Sequence, residues 1–239
     1  MILYDPVGGD VSAAPIKWLP RTCFLMTRLG QVPPFISTVR EHVTSMLNES
    51  NYGLIDASSA TTGRDYLNKI WRLIVGVPAG IAIVYNGMPI GTMGNVCYEI
   101  GLMQALGKET LIVKESDATI PSDFVRTEYV TYDKGFEENF LKFIDYLGER
   151  AESFDTMAQQ LEHDPLLAID YYRRAYLLSG EEAYQQRTRA ILSSGEIGER
   201  AKDSVEFLAA GFCKKKKGAT IVHPVVAVSE VAATTHLEK

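Results

Sequence analysis

Glu99 stands in the stretch Asn86–Lys108, NGMPIGTMGNVCYEIGLMQALGK, directly after the apolar run Gly80–Tyr85. An apolar strand, a glycine-bearing loop and a helix, in that order, bring backbone N–H groups to face a ligand at the helix N-terminus. The helix is expected over Asn95–Leu106, with Asn95 as its N-cap and Gly107 as its C-terminal stop. That places Glu99 in the first turns. A helix N-terminus stabilises negative charge, so the carboxylate is expected to be ionised at pH 7. It would then suit nucleophilic or electrostatic work rather than proton donation. The alternative is a carboxylate that only favours the helix start. A lone acid beside such a loop points to chemistry on a polar small molecule, nucleotides among them. Gly87, Gly91 and Gly94 match neither G-x-G-x-x-G nor G-x4-G-K-[ST], which argues against a dinucleotide dehydrogenase and a P-loop NTPase. These glycines are expected to give a ligand close backbone approach, or to form turns with positive φ.

The elements that must position Glu99 follow from apolar spacing. Strands are expected at Thr22–Thr27, Tyr52–Ala57, Gly80–Tyr85, Thr110–Lys114 and Glu128–Tyr132. Helices are expected at Pro34–Asn48, Asp65–Val75 (Tyr66, Ile70, Leu73 and Ile74 on one face), Asn95–Leu106 and Phe136–Leu147. Strands alternating with helices imply a parallel sheet covered on both faces, with ligands at the carboxyl ends of its strands. Thr27 and Arg28 follow the first strand there, Asp56 closes the second, Asn86 and Gly87 follow the third, and Glu115–Arg126 follow the fourth. Arg28 and Arg126 suit a phosphate or a surface ion pair. Asp56 suits ribose hydroxyls or a turn, and Asp123 caps the next segment or enters the site. Tyr98 and Trp71 read as core residues before base-stacking platforms, with Tyr98 kept among the substrate contacts.

The chain of 239 residues is 46% hydrophobic and carries a formal net charge of -6. An acidic chain lacks the electrostatic footprint of a duplex nucleic-acid binder. The basic run Lys214–Lys217 reads as a solvated tail. Three cysteines without a CxxC and four scattered histidines fit a reducing cytoplasm and argue against a metal site. No apolar run reaches membrane-spanning length, and the N-terminus lacks a basic-then-apolar signal. From about residue 151 the texture turns helical. Ala168–Leu178 and Glu181–Leu192 form a helix pair resembling a tetratricopeptide-type hairpin, though one hairpin makes no repeat; a packing or oligomerisation element is the plainer expectation. Ala219–Val228 either pairs as a strand or stays loose. The expected organisation is an α/β domain over 1–150 and a helical appendage with tail over 151–239.

Asn95–Lys108 resembles the N-V-F-Y-E-L-G-x-A-x-A-x-G-K signature of nucleoside 2-deoxyribosyltransferase-like proteins, relatives of TIR-type NAD hydrolases. Thr62–Trp71 is similar to the helix before the core strand in that group. Ile120–Phe124 with Arg126 and Tyr132 resembles its P-F-D-L…Y segment, and Pro20–Met26 its opening strand. The resemblance covers about residues 20–135. It implies a flavodoxin-like sheet and a glutamate, here Glu99, that attacks or stabilises charge at the anomeric carbon of a ribosyl group. It places Asn95 at the site as well. Family members commonly carry an aspartate just after the central strand, where this chain has Asn86. Deoxyribosyl transfer uses that aspartate on the base, whereas nicotinamide leaves a pyridinium as a neutral molecule and needs no general acid. The expectation is therefore an N-glycosidase on a nucleotide, NAD included as substrate, needing no cofactor. A nucleoside deoxyribosyltransferase or nucleoside monophosphate hydrolase is the first alternative, and a non-catalytic nucleotide sensor the second. The TIR-like relationship also implies a homo-oligomer and a role in bacterial (antiviral) defence or signalling.

Overall fold

The structure, a computed structural model, describes residues 16–60, 66–124 and 128–194, together with 209 and 212. The opening segment 1–15, Thr62–Asp65, Arg126, the Lys214–Lys217 run and the Ala219–Val228 segment lie outside the described residues.

Five strands form one parallel sheet: β1 (Thr22–Met26), β2 (Gly53–Asp56), β3 (Ala79–Val84), β4 (Glu109–Lys114) and β5 (Tyr129–Thr131), in the order β2-β1-β3-β4-β5. This is the flavodoxin-like order. Alternate residues of each strand serve the two faces. Cys23, Leu25, Ile81, Ile83, Leu111 and Val113 enter one apolar cluster; Phe24, Met26, Ala82, Val84 and Ile112 enter the other. All six residues of β3 are buried, as a central strand covered on both sides requires.

The first face is covered by α1 (Pro34–Glu49) and α4 (Phe136–Gln160), the second by α2 (Tyr66–Gly76) and α3 (Ile90–Ala105). Helix α1 buries Ile36, Val39, Val43, Met46 and Leu47, a stripe at helical spacing. Helix α4 runs through residue 150 without a break and buries Phe136, Phe140, Phe143 and Leu147 before that point and Ala151, Phe154 and Ala158 after it. Two further helices, α5 (Pro165–Ser179) and α6 (Glu182–Ser193), form an antiparallel hairpin. Asp164 caps α5 through the Leu167 N–H, and Gly180 ends it at φ 78°. Residues of α4 and α5 share the buried cluster of the first sheet face.

The hairpin is tied back to the start of the sheet. The Arg21 N–H donates to the Leu177 carbonyl at 2.7 Å, and the Tyr52 hydroxyl to the Leu178 carbonyl at 2.8 Å. The Arg21 side chain reaches the carbonyls of Ser50, Asn51 and Ser179 and stacks its guanidinium on Tyr52. A strap before β1 is held by the Leu19 N–H donating to the Gly76 carbonyl. Among the described residues, no helix is long and apolar enough to cross a membrane.

The expected helix starting at Asn95 begins instead at Ile90, with Pro89 as N-cap; the first bond runs from the Met93 N–H to the Pro89 carbonyl. The two glycines that suggested a loop, Gly91 and Gly94, lie inside the helix, and a Cβ at either would meet open space. Each costs about 1 kcal/mol relative to alanine. Burial of Val96, Ile100 and Met103 against β3 and β4 outweighs that cost. Gly87 alone of the three adopts a positive φ, 75°.

Candidate active site

Because β1 and β3 are neighbours whose connections leave in opposite directions, a crevice opens at their carboxyl ends. A cleft of about 420 Å³ lies there. Thr27, Arg28 and Leu29 enter it from the end of β1, and Ala57 from the end of β2. Helix α2 contributes Leu67, Ile70 and Trp71, spaced i, i+3, i+4. Helix α3 contributes Thr92, Asn95, Glu99 and Leu102, with Tyr98 beside them. That stripe adjoins the buried one of Val96, Ile100 and Met103, so the helix turns a dry face to the sheet and a mixed face to the cleft.

Glu99 is half-buried in the wall, and among the described residues it makes no hydrogen bond or ion pair. Loss of water pushes its carboxyl from the ordinary 4.5 up to about 7. Two expectations change. Glu99 sits mid-helix, and the first turn of α3 holds no acidic residue, so the helix dipole does not stabilise its charge. Near neutral pH the group divides between acid and carboxylate instead of being fully ionised.

Arg28 faces the cleft with its Nη1 donating to the Tyr85 hydroxyl at 3.2 Å. The buried Thr27 hydroxyl donates to the Ile83 carbonyl at 3.2 Å, which fixes the end of β1 against β3. Tyr98 is 55% exposed, a correction to its reading as core. Trp71 is only 4% exposed, as its reading as core requires, and it also lines the cleft. Asn95 lines the cleft but does not cap α3.

The remaining candidates lie elsewhere. Asp56 is 2% exposed and not part of the cleft wall. Its carboxylate accepts from Arg40 Nη2 at 2.6 Å, from the Ser58 N–H at 2.9 Å and from the Ser58 hydroxyl. Asn86 and Gly87 form an exposed turn outside the cleft wall, where the Asn86 N–H donates to Glu115 Oε2 at 2.8 Å. The backbone of Asp123 lies in a short 3₁₀ turn, Ser122–Phe124; its side chain, like all of Arg126, is outside the described residues. The apolar wall residues Leu29, Leu67, Ile70 and Leu102 were missed. Helical periodicity put Ile70 on a buried face, but only the crossing of α2 over α3 shows that part of this face ends in a cleft.

The motif's last residue, Lys108, has a structural task. Its ammonium donates to the carbonyls of Val75 and Val77 at 2.8 and 2.5 Å, closing the C-terminal end of α2. Among the described residues no group of three or more His, Cys, Asp or Glu side chains is placed to hold a metal ion. A scan against protein-family models and searches of curated proteins and of solved structures gave no match to this chain.

Proposed function

We propose that the chain is an N-glycosidase acting on a nucleotide, with Glu99 as the carboxylate at the anomeric carbon. The observation that carries this reading is one half-buried carboxyl, without a partner among the described residues, in the wall of a cleft at the sheet's switch point. The apolar walls suit a base, with Trp71 and Tyr98 as its aromatic contacts. Arg28 suits a phosphate. In the reaction the C1′–N bond breaks and its electron pair leaves with the base. The Glu99 carboxylate stabilises the oxocarbenium-like centre or attacks it, and water completes the sugar, its proton passing to solvent.

Hydrolysis of NAD fits the carboxylate form of Glu99, because nicotinamide departs without a proton. The protonated form favours the second reading, a nucleoside monophosphate hydrolase or deoxyribosyltransferase, because it can donate a proton to a base leaving as an anion. The proposal further includes a homo-oligomer: Leu29, Leu67 and Tyr98 are exposed at the cleft and suit coverage by a second copy. Light scattering that finds only a monomer removes this part.

A chromatographic assay against NAD, nucleosides and nucleoside monophosphates tests the main reading, with Glu99→Gln alongside. Release of a free base by the parent and not by the variant supports it. No release across the panel, with binding retained by both, points to the nucleotide sensor instead.

A further inference from the structure

We infer that a donor-rich seam at the opposite edge of the sheet is a binding site for a small oxyanion, with inorganic phosphate as its simplest form. The seam lies where the strap before β1, the turn after α3 and helix α5 meet. Trp18, Lys108, Arg173 and Arg174 line a void of about 30 Å³ there. A single water needs roughly 10–15 Å³ on the same measure, so the void admits an ion of a few heavy atoms and no nucleotide.

Three observations point to a missing acceptor. The indole Nε1 of Trp18 is buried without a hydrogen-bond partner among the described residues, although buried polar groups are ordinarily paired. The neighbouring cations outnumber their acids. Asp170 serves both Arg173 and Arg174, the latter at 2.9 Å, and Glu109, which also lines the void, is taken by Arg150 at 2.8 Å and by the Tyr146 hydroxyl at 3.3 Å. Among the described residues, Lys108 has only carbonyl partners. Three arginines thus share two carboxylates among the described residues.

Unspent donors also remain. The Arg174 guanidinium uses Nε on Asp170 and Nη1 on the Gly107 carbonyl at 3.2 Å, leaving Nη2. Burial and the neighbouring arginines hold the Lys108 amine well below the usual lysine range, and an anion beside it would favour its protonated form, with a donor beyond the two carbonyls. Arg173, 5% exposed, lays its guanidinium over the Trp18 ring at 4.6 Å. Excess positive charge held with little water is costly unless an anion shares the site. An oxyanion accepting from Trp18, Lys108 and Arg174 would satisfy all three and join α5 to the turn after α3.

The test is thermal unfolding and titration calorimetry with inorganic phosphate, chloride being used to hold ionic strength constant. A saturable rise in Tm is expected, about 5–10 °C at a hundred times Kd. Arg174→Gln should abolish it, and Trp18→Phe, which keeps the ring and loses only the N–H, should weaken phosphate binding several-fold. Arg28→Gln should leave the response intact, which separates this site from the catalytic cleft. A response unchanged in Trp18→Phe and Arg174→Gln, a response lost in Arg28→Gln, or no saturable response in the parent overturns the inference. Should Arg174→Gln fold poorly, calorimetry on Trp18→Phe decides.

Discussion

Replacing Glu99 by glutamine should stabilise this protein, and by an amount that depends on pH. The side chain is half-buried with no partner among the described residues, and burial raises its carboxyl from 4.5 to about 7. At about 1.4 kcal/mol per tenfold change in proton affinity, that shift corresponds to roughly 3 kcal/mol, an upper figure because the cleft is open to water. The sign follows from linkage. Below pH 4.5 the carboxyl is protonated in folded and unfolded chains alike, and it costs nothing. Between 4.5 and 7 the unfolded chain releases the proton while the folded chain keeps it, so stability falls as pH rises. Above 7 both are ionised and the cost levels off. Glu99→Gln escapes this cost. Urea unfolding of both proteins from pH 4 to 8.5 should give curves that nearly meet at the acid end and separate by up to about 3 kcal/mol above pH 7, roughly 6–12 °C in Tm. A gap independent of pH, or a parent more stable than the variant at pH 8, would refute the claim that burial destabilises this carboxylate. A residue whose removal stabilises the fold while abolishing turnover is one kept for chemistry.

The same ionisation separates the two enzymatic readings: kcat/KM on NAD should rise with pH through about 7, whereas cleavage that needs Glu99 to protonate its leaving base should decline above it. Asp56→Ala should cost about 1–2 kcal/mol in urea unfolding, because it removes the acceptor for the Ser58 N–H and hydroxyl while the half-exposed Arg40 rehydrates, and KM should stay unchanged. Gly76→Ala drives a Cβ into the Lys17 carbonyl oxygen and should cost about 1–3 kcal/mol, with a shift in tryptophan fluorescence as the strap holding Trp18 moves. Tyr98→Ala removes a 55% exposed side chain, so stability should change by less than about 0.5 kcal/mol while KM rises.

Alternating runs of apolar strands and amphipathic helices made the sheet and its layers legible, since period-two and period-3.6 burial write themselves into composition. Strand bounds moved by a residue or two, as with β3 at Ala79–Val84 against the expected Gly80–Tyr85. The larger departure was α3. Proline and two glycines locally resemble a loop, but tertiary burial of Val96, Ile100 and Met103 holds the helix from Ile90 onward. That five-residue shift carried Glu99 away from the helix end and reversed its electrostatics. Within the site, Arg28, Asn95, Tyr98 and Glu99 were visible from polar residue types at the carboxyl edge. Asp56 was misplaced because a strand-end aspartate looks the same in sequence whether it faces a ligand or a neighbouring arginine. The length of α4 was missed because Gly148 and the charged residues beside it interrupt the apolar stripe seen as Phe136–Leu147.

The hydrogen bonds from Arg21 and Tyr52 to the carbonyls of Leu177 and Leu178 set an order of events during synthesis. The residues just before β1 and β2 are made early, yet the carbonyls they bond belong to residues made more than a hundred positions later. Every strand can leave the tunnel before the segment that seals their amino ends exists. Until α5 arrives, the Tyr52 ring and the apolar surface of α4 beyond Leu147 face solvent or a chaperone. A nascent chain arrested before α5 has emerged should therefore be cut by protease faster than the released protein, whose α5 closes over Tyr52 and α4.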